Sequence, residues 1–212
     1  MSQDRRYSTA DRLLIGLSRG LATRGPAPAS ASPSASADAH DTLVGAQRRQ
    51  AADLMRVNHA GDVAAQGLYQ GQALTARSDA TRRHLLAAAE EEQQHLDWCA
   101  QRLRELGDQP SRLRPLWYAG SFAMGAAAGL LGDRWSLGFV AETERQVAEH
   151  LDEHLQRLPP EDKSSRRILQ AMRADEQRHG HAASDLGGAP LPAPAGGRLR
   201  QLGQGGTLSV GQ

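Results

Sequence analysis

Three stretches of this 212-residue chain repeat a small or apolar residue at alternating steps of four and three, and acids or imidazoles interrupt all three rows at corresponding places. Leu85, Ala89, Glu92, Leu96, Cys99, Leu103 and Leu106 make up the first row. Leu137, Ala141, Glu144, Ala148, Leu151, Leu155 and Leu158 make up the second, and Leu169, Met172, Glu176, His179, Ala183 and Leu186 the third. Steps of three and four keep side chains on one face of an α-helix. The rows therefore demand helices that pack together with Glu92, Glu144, Glu176 and His179 on their inner faces. A further row, Met55, Asn58, Asp62, Ala65 and Tyr69, runs beside Leu54, Val57, Gly61, Ala64 and Leu68 and sets Asp62 at the edge of a broad inward face.

Buried carboxylates without partners are costly, so several on the inner faces of one bundle call for a compensating positive charge. Glu92-x-x-His95 and Glu176-x-x-His179 each set a carboxylate and an imidazole one turn apart on the same side of a helix, where both can reach one ion. A lone acid precedes each pair: Asp62 stands 30 positions before Glu92, and Glu144 stands 32 before Glu176. The order acid, Glu-x-x-His, acid, Glu-x-x-His reads as a pseudo-repeat of two helical hairpins. Together the hairpins supply four carboxylates and two histidines, the donor set of a di-iron or di-manganese carboxylate protein, and two divalent cations balance the charge. Cys99 is the only cysteine, which excludes an internal disulfide and a cysteine-rich zinc site and leaves it as a small core residue. Glu90, Glu91, Glu105, Glu149 and Glu153 read as solvated helix faces. His59, His84, His150, His154 and His181 read as outer partners of the ligands, substrate-side groups or surface residues.

No alternation of β-branched residues marks a strand, and aromatics are only 4% of the chain, so the body is all-α. The pattern predicts helices over 42–77, 79–107, 112–131, 134–158 and 161–186. Ser78-Asp79, Gly107-Asp108-Gln109-Pro110, Gly132-Asp133 and Pro159-Pro160 break them, with Ser78 and Asp133 as N-caps and Pro160 at a helix start. Residues 1–24 hold an amphipathic segment, 25–41 a Pro/Ala/Ser linker unable to bury a core, 42–186 the helical domain, and 187–212 a Gly/Pro-rich irregular tail. The uncharged, Gly- and Ala-rich stretch 115–132 suits either a helix packed closely in a bundle or a segment resting on a membrane; as a span it is marginal. A net charge of +1 with arginines interleaved among acids argues against nucleic acid as a partner, and the short apolar run at 13–17 is no secretory signal.

The motif Arg56-Val57-Asn58-His59-Ala60-Gly61-Asp62, continued by Leu68-Tyr69-Gln70-Gly71-Gln72, resembles the opening motif of the demethoxyubiquinone hydroxylases of ubiquinone biosynthesis. The resemblance continues through Glu90-Glu91-Glu92-Gln93-Gln94-His95-Leu96, Ala141-Glu142-Thr143-Glu144-Arg145-Gln146-Val147 with His150 beyond, and Asp175-Glu176-Gln177-Arg178-His179. It covers about residues 42–186. It implies a ferritin-like four-helix bundle with a di-iron centre and an extra Gly/Ala-rich helix. By the same resemblance the metal ligands are Asp62, Glu92, His95, Glu144, Glu176 and His179, with Glu92 and Glu176 bridging two Fe ions per chain. Asp62 stands where the family has Glu. The implied activity is O2-dependent hydroxylation of a polyprenyl demethoxybenzoquinol, 3-demethoxyubiquinol, to 3-demethylubiquinol. Peripheral association with the cytoplasmic face of the cell membrane and contact with other ubiquinone-biosynthesis proteins are expected with it. The alternative is a ferritin-like iron oxidase or storage protein, which would take up iron without turning over quinol.

Overall fold

The computed structural model of the protein describes residues 32–33 and 42–191. The described residues form five helices and no strand: α1 Gly45–Thr75, α2 Asp79–Glu105, α3 Arg114–Leu130, α4 Asp133–Arg157 and α5 Lys163–Asp185. Three of the four breaks fall at the Gly and Pro clusters that the sequence marks, and the first falls at Ser78-Asp79. The amphipathic segment expected over 1–24 lies outside the described residues, as do 192–212 of the tail and all of 25–41 except residues 32 and 33. Ser32 is buried.

Local chemistry sets the helix starts, in two places differently from expectation. Ser78 caps α2 as predicted, its Oγ accepting from the Thr81 N–H at 3.0 Å. Asp133 is not a cap. Gly132 takes that position with φ +102, a conformation glycine adopts freely, and the Asp133 carboxylate instead accepts from the Arg77 and Ser78 N–H groups at 2.8 Å each. The starts of α2 and α4 are thereby tied together. Pro160 does not open α5: Asp162 is its N-cap, accepting from the Ser165 N–H at 2.9 Å.

α1 and α2 make one hairpin, α4 and α5 the other, and the two face each other across two apolar clusters. At one end Leu54, Met55, Leu103, Leu151, Ile168 and Met172 pack together. At the opposite end Tyr69, Ala73, Leu85, Leu137, Val140 and Ala183 do so. Each large apolar side chain so buried contributes about 2 kcal/mol. Between the clusters lie the levels of α1, α2, α4 and α5 that carry acids and histidines.

α3 lies outside this bundle, laid on α1 with almost no side chain between them. A Cβ added to Gly71 would stand 2.1 Å from the Phe122 carbonyl oxygen, and one added to Gly125 would stand 2.1 Å from that of Leu68. Only glycine permits so close a crossing. Thr75 Oγ1 donates to the Ala126 carbonyl at 3.2 Å, and Tyr118 Oη donates to Gln70 Oε1 at 2.7 Å. The Gly/Ala-rich helix is thus half-packed: Tyr118, Phe122, Gly125 and Gly129 are buried, while Leu116, Trp117, Met124 and Leu130 are exposed on the far side. Val57 and Gly61, read as inward from the sequence, are exposed, because α1 is covered by α2 and α3 but only thinly by α4.

Candidate metal centre

All six residues of the expected ligand set are buried, none more than 4% exposed. They come together as two groups, Asp62, Glu92, His95 and Glu176 in one and Glu92, Glu144, Glu176 and His179 in the other, with ligand atoms in each within 4.8 Å of one another. Glu92 and Glu176 are common to both. Asp62, whose inward placement was the least decided by the sequence, is 4% exposed and faces the first group.

The histidines explain the geometry. His95 Nε2–H donates to Asp175 Oδ2 at 3.0 Å, and His179 Nε2–H donates to Glu91 Oε2 at 3.0 Å. With Nε2 engaged outward, each ring turns its Nδ1 inward, where a lone pair meets a cation once the ring is neutral. His95 Nδ1 lies 3.4 Å from both Glu92 Oε2 and Glu176 Oε1. His179 Nδ1 lies 3.5 Å from Glu176 Oε2 and 3.9 Å from Glu92 Oε1. Acceptors therefore face acceptors. Both oxygens of Glu92, Oε1 of Glu144, Oε2 of Glu176 and both Nδ1 atoms are buried without a hydrogen bond. Such orphaned atoms at the centre of a bundle are ones that cations held among them would satisfy. Carboxylate oxygens with imidazole nitrogens and no thiolate suit iron or manganese.

The electrostatics agree. Burial, then the neighbouring charges of Glu92 and Glu176, hold Asp62 well above the usual carboxylate range. Burial and Glu176 push Glu92 up to about 7. Burial and Glu176 also raise Glu144. Burial opposes both shifts, yet the facing imidazoles of His179 and His95 draw Glu176 below the usual carboxylate range, and the surrounding Asp175, Glu176 and Glu92 draw His95 up. Four carboxylates this close cannot all be charged unless cations replace their protons.

The outer acids were missed in the sequence, where Glu91 reads as a solvated residue and Asp175 only as one of the acids among which the arginines are interleaved. Arg178 does donate to Asp175 Oδ1 and also to Glu91 Oε2, both at 2.6 Å, so one guanidinium clamps both acids. The available signal was an acid directly before each Glu-x-x-His: Glu91 before Glu92 and Asp175 before Glu176. Each serves the histidine of the opposite helix. Glu90, Glu105, Glu149 and Glu153 are exposed as expected. His181 is exposed, and His59 is buried and held near 4, neutral, by burial and Arg114. His154 is also buried, donating from Nδ1 to Asn58 Oδ1 at 2.7 Å and lying against His150, with ring centroids 4.0 Å apart and planes inclined by 56°. His150 and His154 line a 440 Å³ groove between α1 and α4.

The family model described as ubiquinone biosynthesis protein COQ7 matches residues 49–199. A 3-demethoxyubiquinol 3-hydroxylase of Xanthomonas euvesicatoria is 55% identical over 195 residues, 92% of this chain and 90% of that protein. Its namesake in Xanthomonas campestris is 56% identical over 191 residues, 90% of this chain and 88% of the relative. The protein of that name in Cupriavidus necator is 63% identical over 154 residues, 73% of this chain and 74% of the relative. A match that takes in all of the helical body but its first four residues, with every inward acid and histidine, places the chain in the COQ7 family of ubiquinone biosynthesis proteins.

Proposed function

We propose that the protein is a di-iron monooxygenase that uses O2 to hydroxylate 3-demethoxyubiquinol, a polyprenyl demethoxybenzoquinol, to 3-demethylubiquinol. The observation that carries this reading is the pair of carboxylate–imidazole groups with Glu92 and Glu176 in common. Glu92 and Glu176 would bridge two irons, Asp62 and His95 completing one site and Glu144 and His179 the other. When bound, the irons would supply O2 activation, one oxygen going to the quinol ring and the other leaving as water with two electrons and two protons from an external reductant.

The chain's own residues do the rest. Asp175 and Glu91 hold the two imidazoles with Nδ1 inward. The apolar clusters above and below the acids keep bulk water from the reacting centre, which strengthens each charge interaction inside it. No helix among the described residues is long and apolar enough to cross a membrane. The outer face of α3, with Leu116, Trp117, Met124 and Leu130 between 46% and 68% exposed, supports peripheral seating on the cytoplasmic face of the cell membrane, where a polyprenyl quinol resides. That face also offers a docking surface to other proteins of ubiquinone biosynthesis.

Metal analysis of anaerobically purified protein, with quinone profiling of a deletion strain, tests the reading. Two irons per chain and accumulation of a demethoxyubiquinone-type intermediate are expected. Accumulation of an earlier precursor would assign the chain to another step, and iron uptake with unchanged ubiquinone would make it an iron store.

A further inference from the structure

Asp62 differs from the other inward acids in two respects. It is one methylene, about 1.5 Å, shorter than Glu92, Glu144 or Glu176. It also has a sulfur against its carboxylate: Cys99 Sγ lies 3.7 Å from Asp62 Oδ2. Both residues are buried, Cys99 completely. Cys99 follows His95 by four residues and Glu92 by seven on α2, so the helix presents all three to the same interior. The sulfur belongs to neither carboxylate–imidazole group. On its other side it meets Met172 Sδ of α5 at 3.8 Å. A thiol has one proton to give, and a thioether is a much weaker acceptor than a carboxylate oxygen. The interior that Asp62 faces already holds orphaned acceptors, both oxygens of Glu92 and Nδ1 of His95, which mark the place of an ion.

We infer that Cys99 is a positioning residue for Asp62: its S–H donates to Oδ2, fixes the short carboxylate against rotation and leaves Oδ1 as the oxygen offered to the ion shared with His95. Met172 closes the space behind the sulfur. The assignment rests on the reading of these residues as metal ligands. It departs from the sequence expectation that Cys99 is only a small core residue.

Because the chain has a single cysteine, its S–H stretching band in the infrared belongs to Cys99 alone. The full-length protein, metal-free and loaded with Co(II), is compared with Asp62→Ala, Cys99→Ala and Cys99→Ser. In the wild type the S–H band is expected at lower frequency than in Asp62→Ala. Cys99→Ala should weaken one of the two Co(II) sites by about tenfold, the low end of what outer partners contribute. The second site should be unchanged, and Cys99→Ser, which keeps a donor, should restore most of the lost affinity. An S–H band indifferent to Asp62→Ala, or a Cys99→Ala protein with wild-type Co(II) affinity, overturns the role while leaving the metal centre standing. An intense sulfur-to-cobalt charge-transfer band overturns it by making Cys99 a ligand. A wild type that binds no Co(II) overturns the metal reading and the role with it.

Discussion

The α1–α2 and α4–α5 hairpins supply the same parts, one lone acid and one acid-Glu-x-x-His each, yet they are not equivalent. The first hairpin's lone acid is Asp62 with a thiol beside it; the second's is Glu144, a methylene longer. The first hairpin's outer acid, Glu91, has a side chain 43% exposed, whereas Asp175 of the second is 22% exposed. α1 carries α3 on its back through the glycine contacts, whereas Gly138 of α4 makes its close approach to the backbone of Ala189, beyond α5. What repeats is the inward set of acids and imidazoles that each half contributes. What differs is the reach of one lone acid and the surroundings of each hairpin, where nothing in the repeat enforces symmetry.

The sharpest way to break the comparison is at the shared acids. Glu92→Ala or Glu176→Ala should each empty both metal positions and lower hydroxylation by about a thousandfold or more, the loss of several kcal/mol of Lewis-acid stabilisation. Glu144→Ala should empty one position. Metal content by emission spectroscopy checks this, and a Glu92→Ala protein retaining one tight ion would show that the halves are independent.

The outer acids come next. Asp175→Ala should weaken the ion held with His95, and Glu91→Ala the ion held with His179, by about 10- to 100-fold. The more buried Asp175 should give the larger loss. Isotope-resolved Mössbauer spectra of the two irons would distinguish the sites, and a loss on the same helix as the mutated acid would contradict the crossed pairing.

At the α1–α3 crossing, Gly71→Ala should cost about 1–3 kcal/mol because its Cβ meets a backbone carbonyl that cannot move alone. Gly61→Ala on the same helix meets no atom within 4 Å and should stabilise by about 0.5–1 kcal/mol. Thermal denaturation of the metal-free proteins reads both.

The smallest effect is that of pH. Burial and Glu176 raise Glu92 from its ordinary value of 4.5 to about 7 in the folded metal-free protein. Between those values the folded state binds more protons than the unfolded one, so this group makes stability fall as pH rises through the window. Metal displaces the same protons, so metal affinity should rise over that window. Denaturant titrations at pH 5 and pH 7, with and without Fe(II), measure both slopes.

Much of this was legible before any coordinates. The inward acids and His179 announced themselves by interrupting apolar rows, and Gly or Pro marked every helix break but the first, which Ser78-Asp79 marked. The outer acids were hidden because on a helical projection Glu91 and Asp175 lie off the buried seam and look like any solvated residue; only their place directly before each Glu-x-x-His sets them apart. α3 was ambiguous for another reason. A stripe of small residues reads alike whether a helix is enclosed or seated on one side, and the decision lies in Gly67 and Gly71 of α1, which meet it in register. At Gly132 the backbone took the cap and freed Asp133 to fasten α2, a choice made by a positive φ that pattern alone does not reveal.

The crossed pairing of acids and histidines has a consequence for how such a molecule can be taken apart. Neither hairpin owns a complete histidine donor, since the imidazole comes from one and the acid that orients it from the other. Arg178 then ties both exchanges to a single side chain. A chain severed in the 106–113 connection would yield two pieces that are each useless alone and mutually templating together. A substitution at the acid of one half therefore acts first on the imidazole of the other.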